Sequence, residues 1–323
     1  MTRQFAYTYG SGFPAGTNAS ELAGVIWGYV QPTSESNMTL VYQQSESGLD
    51  PTIIAAHAAG ITCKLQIFAP WDWYATGGNN IFTSTTLQNA LFDELDDILT
   101  AHPDLDGFEM DWEGDERLFN KSAHTTFYAN MKARFPNHLI GSTQTFRWST
   151  MTSSAQDYLD ALMIMNYDCN QGGGLEWYAN MAQVATAVGY WLAEGFQSNK
   201  LNLGISFASY IWNGSIYVWN SSYRAMIDNY SPGPGVNLIG TEFAAGSYKF
   251  NGLTLVQAKA QYCKDNNLDG AWSYYLAFDK LNDSRSLTKA IYDIIKDEPP
   301  TGSGVVEESP AASTDNVWLK FDG

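Results

Sequence analysis

Apolar residues recur along this chain in two alternating rhythms, short runs of period two and longer stretches of period near 3.6. Eight runs predict strands: Gln4–Tyr9, Gly24–Val30, Ile61–Phe68, Gly107–Glu113, Leu139–Thr145, Leu162–Tyr167, Leu201–Phe207 and Gly270–Tyr275. Helices are predicted between them at Pro51–Ala59, Leu87–Ala101, His124–Phe135, Ala155–Tyr158, Glu176–Glu194 and Leu255–Asn266. The second is the most regular, with Leu87, Leu91, Leu95 and Ile98 on one face and Pro103 as its stop. Strands and helices alternating eight times over about 280 residues predict a (β/α)8 TIM barrel. The rival, a doubly wound open sheet, lacks a Gly-rich nucleotide loop after any early strand. Residues 208–254 read as a long non-helical insertion, a hairpin or loop on the rim between the seventh and eighth strands. Residues 1–297 are therefore expected to form one catalytic barrel. The Pro-, Gly- and Ser-rich segment 298–323 reads as a linker and tail, the possible start of a further, truncated module.

Strand side chains alternate between faces, so Glu109, Asp111 and Glu113 share one face of the fourth strand and Phe108, Met110 and Trp112 the other. In a barrel the apolar set meets the helices and the three carboxylates point inward. Buried charges are costly, so a stack of acids is expected to share protons and to serve chemistry. The alternative is an antiparallel strand with an acidic solvent face. The helices on either side favour a parallel strand covered on both faces, and active sites of this fold lie at the C-terminal strand ends, where Glu113 falls.

Composition narrows the partners. The chain has 323 residues and a formal net charge of -17, from 34 acidic against 17 basic residues, which leaves no basic surface for nucleic acid. Aromatics are 14%, with 11 Trp and 19 Tyr, a supply suited to a sugar-binding cleft. Cys63, Cys169 and Cys263 are too few and too scattered for a disulfide framework or a zinc knuckle, and at most one disulfide is allowed, with no pairing indicated. None of the four histidines has metal-ligand spacing, so neither metal nor cofactor is expected. No apolar run is long enough to span a membrane. The N-terminus lacks an apolar leader, as a processed chain would, and sequons at Asn18, Asn37, Asn120, Asn213, Asn220 and Asn282 lean toward a secreted or extracellular setting. A monomer is expected.

The run Asp106-Gly107-Phe108-Glu109-Met110-Asp111-Trp112-Glu113 resembles the Asp-x-x-Asp-x-Asp-x-Glu signature of glycoside hydrolase family 18, which contains chitinases and endo-β-N-acetylglucosaminidases. Met165-Asn166-Tyr167-Asp168, Leu203-Gly204-Ile205-Ser206-Phe207 and Gly270-Ala271-Trp272-Ser273-Tyr274 resemble the family's motifs on strands six, seven and eight, in order. The resemblance implies that Glu113 is the general acid/base and Asp111 the carboxylate that turns toward the substrate amide. It implies that Tyr167 and Asp168 hold the N-acetyl group and its sugar. Glu109 stands where the family usually has Asp, and Tyr274 where it usually has Trp. Trp272 either shares the stacking task or fills the barrel, and Met165 either packs there or touches the acetyl methyl. Trp71 and Trp73, just past strand three, and Trp212, Tyr217 and Trp219 in the insertion are candidate sugar platforms or surface packing. The activity implied is retaining, substrate-assisted cleavage of β-1,4-linked N-acetylglucosamine polymers. The alternatives are an endo-β-N-acetylglucosaminidase acting on N-glycans or cell-wall glycan, and a non-catalytic chitin-binding lectin.

Overall fold

The computed structural model describes residues 2–69, 80–112, 120–146, 148–167, 179–212, 217–240 and 248–296. Eight strands form a closed parallel barrel: β1 (Arg3–Thr8), β2 (Gly24–Ser34), β4 (Thr62–Ala69), β5 (Gly107–Trp112), β6 (Leu139–Thr145), β7 (Ala161–Met165), β8 (Leu201–Ser206) and β13 (Gly270–Tyr274). Closure comes from β1, which pairs in parallel with both β2 and β13. At that seam Arg3 donates to Asp269 through Nε (2.8 Å) and Nη2 (2.5 Å), and Asn202 of β8 donates to the same carboxylate at 2.7 Å.

Period-two alternation sorts the side chains into two clusters. Ala6, Val25, Trp27, Phe108, Met110, Trp112, Leu162, Ile164, Leu203 and Ala271 pack outward under the helices. Phe5, Tyr7, Ile26, Met163, Met165 and Trp272 pack inside the barrel. Each large outer side chain contributes about 1.5–3 kcal/mol by leaving water. The covering helices are α1 (Leu49–Ala58), α3 (Thr85–Ala101, preceded by the single turn α2, Asn80–Thr83), α4 (Lys121–Arg134), α5 (Met181–Ala193), α7 (Leu253–Asp265) and α8 (Leu287–Ile295). Leu91, Leu95 and Ile98 are the buried stripe of α3, and Ser84 caps it by accepting from Leu87 N.

Several elements differ from the sequence reading. α5 starts at Met181 rather than at residue 176, because Asn180 and Gln183 close a capping box there. β7 ends at Met165, which puts Asn166 and Tyr167 in a turn beyond it. β3 (Asn37–Tyr42) was not anticipated; it folds back antiparallel on the extended end of β2. Nor was α8, whose Leu287, Ile291 and Ile295 face the core. The insertion after β8 is not free of helix. It holds α6 (Tyr223–Tyr230) and an antiparallel sheet of β9 (Ala208–Trp212), β10 (Tyr217–Ser222), β11 (Leu238–Ile239) and β12 (Tyr248–Phe250) in the order β10-β9-β12-β11. Two turns of helix bury only Tyr223, Met226 and Ile227, too short a pattern to stand out among Gly and Pro.

Candidate active site

The fourth barrel strand, β5, carries its acids inward as the alternation requires. Glu109 is fully buried and Asp111 is 6% exposed. The neighbouring strand β4 has the same rhythm, with Lys64 and Gln66 inward and Cys63, Leu65 and Ile67 outward. The β4–β5 register sets Gln66 beside Glu109 and Lys64 beside Gly107. Each polar side chain reaches to the acid two residues on from its own partner. Lys64 Nζ donates to Glu109 Oε2 in a buried ion pair, and Gln66 Nε2 donates to Asp111 Oδ2 at 2.6 Å.

On the other side, Thr143 Oγ1 of β6 donates to Glu109 Oε1 at 3.1 Å. Its hydroxyl lies 2.9 Å from Tyr7 OH. Since Thr143 has one proton and gives it to Glu109, Tyr7 is the donor to Thr143. Burial, then the charges of Asp111 and Glu109, push the Tyr7 phenol well above its ordinary range, so it remains a donor at any working pH. Glu109, at the base of the stack of acids, thus has a cation beside it, Lys64.

Above this layer lies a cavity of about 310 Å³ lined by Tyr7, Tyr9, Tyr29, Gln66, Phe68, Asp111, Met165, Tyr167, Trp272 and Tyr274. Trp272 is 1% exposed and packs against Tyr7 and Tyr167, with ring centroids at 5.1 and 5.6 Å. It packs inside the barrel and lines the cavity. Tyr274 stacks on Tyr167 (6.0 Å, 24°). Gln66 Oε1 and Trp272 Nε1 are buried with no hydrogen-bond partner among the described residues, which leaves one acceptor and one donor for a guest. The close wall at Gln66 requires Gly28, where a Cβ would sit 2.7 Å from Gln66 Oε1 and overlap the Tyr9 ring.

A wider cleft of about 650 Å³ shares Tyr9, Tyr29, Tyr167 and Tyr274 with the cavity and continues to Tyr275, Phe278 and Trp219. Trp219, on β10 of the insertion, is 59% exposed and stacks on Phe278 (6.0 Å, 21°).

Of the residues singled out from sequence, the barrel brings together Glu109, Asp111, Met165, Tyr167, Trp272 and Tyr274. Glu113, Asp168, Trp71 and Trp73 lie outside the described residues, as does Cys169. Sequence reasoning missed Lys64, Gln66, Tyr7, Tyr9, Tyr29 and Thr143. A signal existed for the first two, because Thr62, Lys64 and Gln66 alternate with apolar residues as the acids of β5 do. Cys63 and Cys263 are buried free thiols, and no helix among the described residues is long and apolar enough to cross a membrane.

No curated protein matches the sequence. Solved structures share the fold at low identity. The chitinase ChiB from the chitin utilization locus of Flavobacterium johnsoniae is 17% identical over 91% of this chain and 94% of its own, with a TM-score of 0.75. A mutant of the Group II chitinase catalytic domain 2 of Ostrinia furnacalis, in complex with (NAG)5, is 14% identical over 93% and 98%, with a TM-score of 0.72. A chitinase-like agglutinin from Robinia pseudoacacia is 14% identical over 90% and 99%, with a TM-score of 0.71. The family profile for glycosyl hydrolases family 18 matches residues 73–279. The match covers β5 with its acids, the turn with Tyr167 and the strand with Trp272 and Tyr274, and by it the chain belongs to glycosyl hydrolases family 18 and is a glycosidase.

Proposed function

We propose that the protein hydrolyses β-1,4 linkages of N-acetylglucosamine polymers, chitin in the simplest case, with retention and with the substrate's own acetamido group as nucleophile. The observation that carries this reading is the setting of Asp111. It is a buried carboxylate held by a neutral amide, at the wall of a cavity walled by tyrosines, two residues before the motif's Glu113. In this reading Glu113 protonates the leaving oxygen while the acetamido oxygen attacks the anomeric carbon and forms an oxazolinium ion. Glu113 then takes a proton from the water that opens the ring. Asp111 faces the amide N–H, which gains positive character as the ring closes. The Tyr167 hydroxyl donates toward the amide oxygen. Two acids on one strand cannot flank a sugar as an ordinary retaining pair does, at about 5–5.5 Å on opposite sides. The (NAG)5 bound by the Ostrinia neighbour supports the substrate class.

A lectin is the second reading, favoured by the exposed Trp219–Phe278 stack and by the Robinia agglutinin. Mass analysis of products from chitin oligomers, cell-wall glycan and a high-mannose glycopeptide separates the readings. Cut chitin oligomers with intact cellulose oligomers are expected. Cleavage of the glycopeptide alone would make the protein an endo-β-N-acetylglucosaminidase, and binding without products would make it a lectin. Glu113→Gln is expected to lower hydrolysis by about 10²–10⁴-fold while oligosaccharide binding persists, because only proton transfer is lost. Full activity in that variant would place the acid elsewhere.

A further inference from the structure

Lys64 is 3% exposed, and its ammonium lies inside the barrel directly beneath the site, 5.7 Å from the centre of the Phe5 ring. Its ion-pair partner is Glu109. Both contacts to the Glu109 oxygens come from donors, Lys64 Nζ on Oε2 and Thr143 Oγ1 on Oε1. The facing strand β6 supplies Gly141 opposite Glu109, and a Cβ there would overlap Glu109 Oε2 and sit 2.6 Å from Lys64 Nζ. The pair thus occupies space that only glycine leaves open. Asp111, one layer up, accepts from the Gln66 amide.

We propose that Lys64 is a positioning residue of this active site: its buried ammonium holds Glu109 as a fixed anion, takes Glu109 out of proton exchange with Asp111, and so sets the pH range in which Asp111 and Glu113 work. The catalytic part of this inference rests on the function proposed above. Among the described residues, the groups that face Glu109 are Tyr7 from β1, Lys64 from β4, Asp111 from its own strand and Thr143 from β6. Tyr128 of α4 lies behind β6, with its hydroxyl on Ser142. Burial pushes the Glu109 carboxyl up from the carboxylate range, and the Lys64 charge with the Lys64 and Thr143 hydrogen bonds opposes it. Without Lys64, only the Thr143 hydrogen bond opposes burial, and the Glu109 carboxyl moves further up. Where it stays ionised, its uncompensated charge makes the acid above it harder to deprotonate.

The test has two arms. Carbon-13 NMR of the Glu109 carboxyl in the unaltered protein is expected to show a carboxylate at neutral pH that takes its proton only on the acid side. In Lys64→Met, the alkaline limb of the kcat/KM profile on chitin oligomers is expected to move up by about one pH unit. Lys64→Met/Glu109→Gln removes both charges and is expected to bring that limb back, which a loss of packing alone would not do. A Glu109 that is protonated at neutral pH in the unaltered protein overturns the inference, whether or not the variants fold. So does a folded Lys64→Met with an unmoved alkaline limb. If Glu109 is a fixed anion and no oligomer is cut, the charge assignment stands and the proposed hydrolase function falls.

Discussion

Glu109 and Asp111 are two residues apart on one face of β5, both buried, and they live in different electrostatic surroundings. Glu109 is held from two sides, by a cation on β4 and a hydroxyl on β6. Asp111 meets the Gln66 amide and borders open space. A carboxylate with a fixed counterion is inert to small changes around it, whereas a hydrogen bond from an amide can be exchanged for one from a guest's N–H. In the proposed function the lower layer of the barrel serves as structure and the upper layer as chemistry, although the sequence spells both with the same kind of residue.

This contrast predicts that the two acids fail differently. Glu109→Gln strands the Lys64 ammonium and is expected to cost about 3–5 kcal/mol of unfolding free energy. Asp111→Asn keeps a polar group of the same shape, so it should leave stability nearly unchanged while lowering kcat about 10²–10³-fold with binding little altered. Denaturant titration beside steady-state kinetics checks both, and equal stability losses would dissolve the distinction.

A smaller effect probes the space rather than the charge. Gly141→Ala pushes into the Lys64–Glu109 pair and is expected to destabilise by about 1–3 kcal/mol. Gly189→Ala, on the exposed side of α5 with nothing within 4 Å of the added carbon, should stabilise by about 0.5–1 kcal/mol. Melting curves of the two variants moving in the same direction would show that the pair is not tightly enclosed. The smallest effect belongs to the rim. Trp219→Ala should change stability by no more than about 0.5 kcal/mol. It should weaken binding of long chitin oligomers about 3–10-fold, the loss of one stacking face. Calorimetry with long and short oligomers checks this, and equal loss for both would move the contact away from the outer cleft.

The barrel was legible because its strands and helices differ in period, and because parallel strands covered on both faces leave so few arrangements. Glu109 and Asp111 were legible for the same reason, since alternation alone puts them opposite Phe108, Met110 and Trp112. For Lys64 the same alternation gives the face but not the partner: its pairing with Glu109 needs the register of the neighbouring strand, and register is a tertiary fact. Tyr7 lies on β1, Tyr9 just past it and Tyr29 on β2, none of them next to β5, and they share no local pattern with it. α6 stayed hidden because two turns of helix carry too few apolar positions to show a period. Trp272 was read with two roles, and it stands in both settings, packed against Tyr7 and Tyr167 and lining the cavity.

The seam between β1 and β13 bears on how the molecule comes into being. Arg3 and Asp269 are 266 positions apart, so the first strand to be synthesised waits for almost the whole domain before it gains its second neighbour. Closing so long a loop costs only logarithmically more entropy than closing a short one, but contacts this distant in sequence make folding slow. Until the seam forms, the sheet is an open ribbon with two unpaired edges and a wet inner face. Lys64 and Glu109 then face water and attract one another weakly. Their pairing gains its strength at closure, when the last strand seals the interior, so that the electrostatics beneath the site belong to the finished barrel and to no partly folded stage of it.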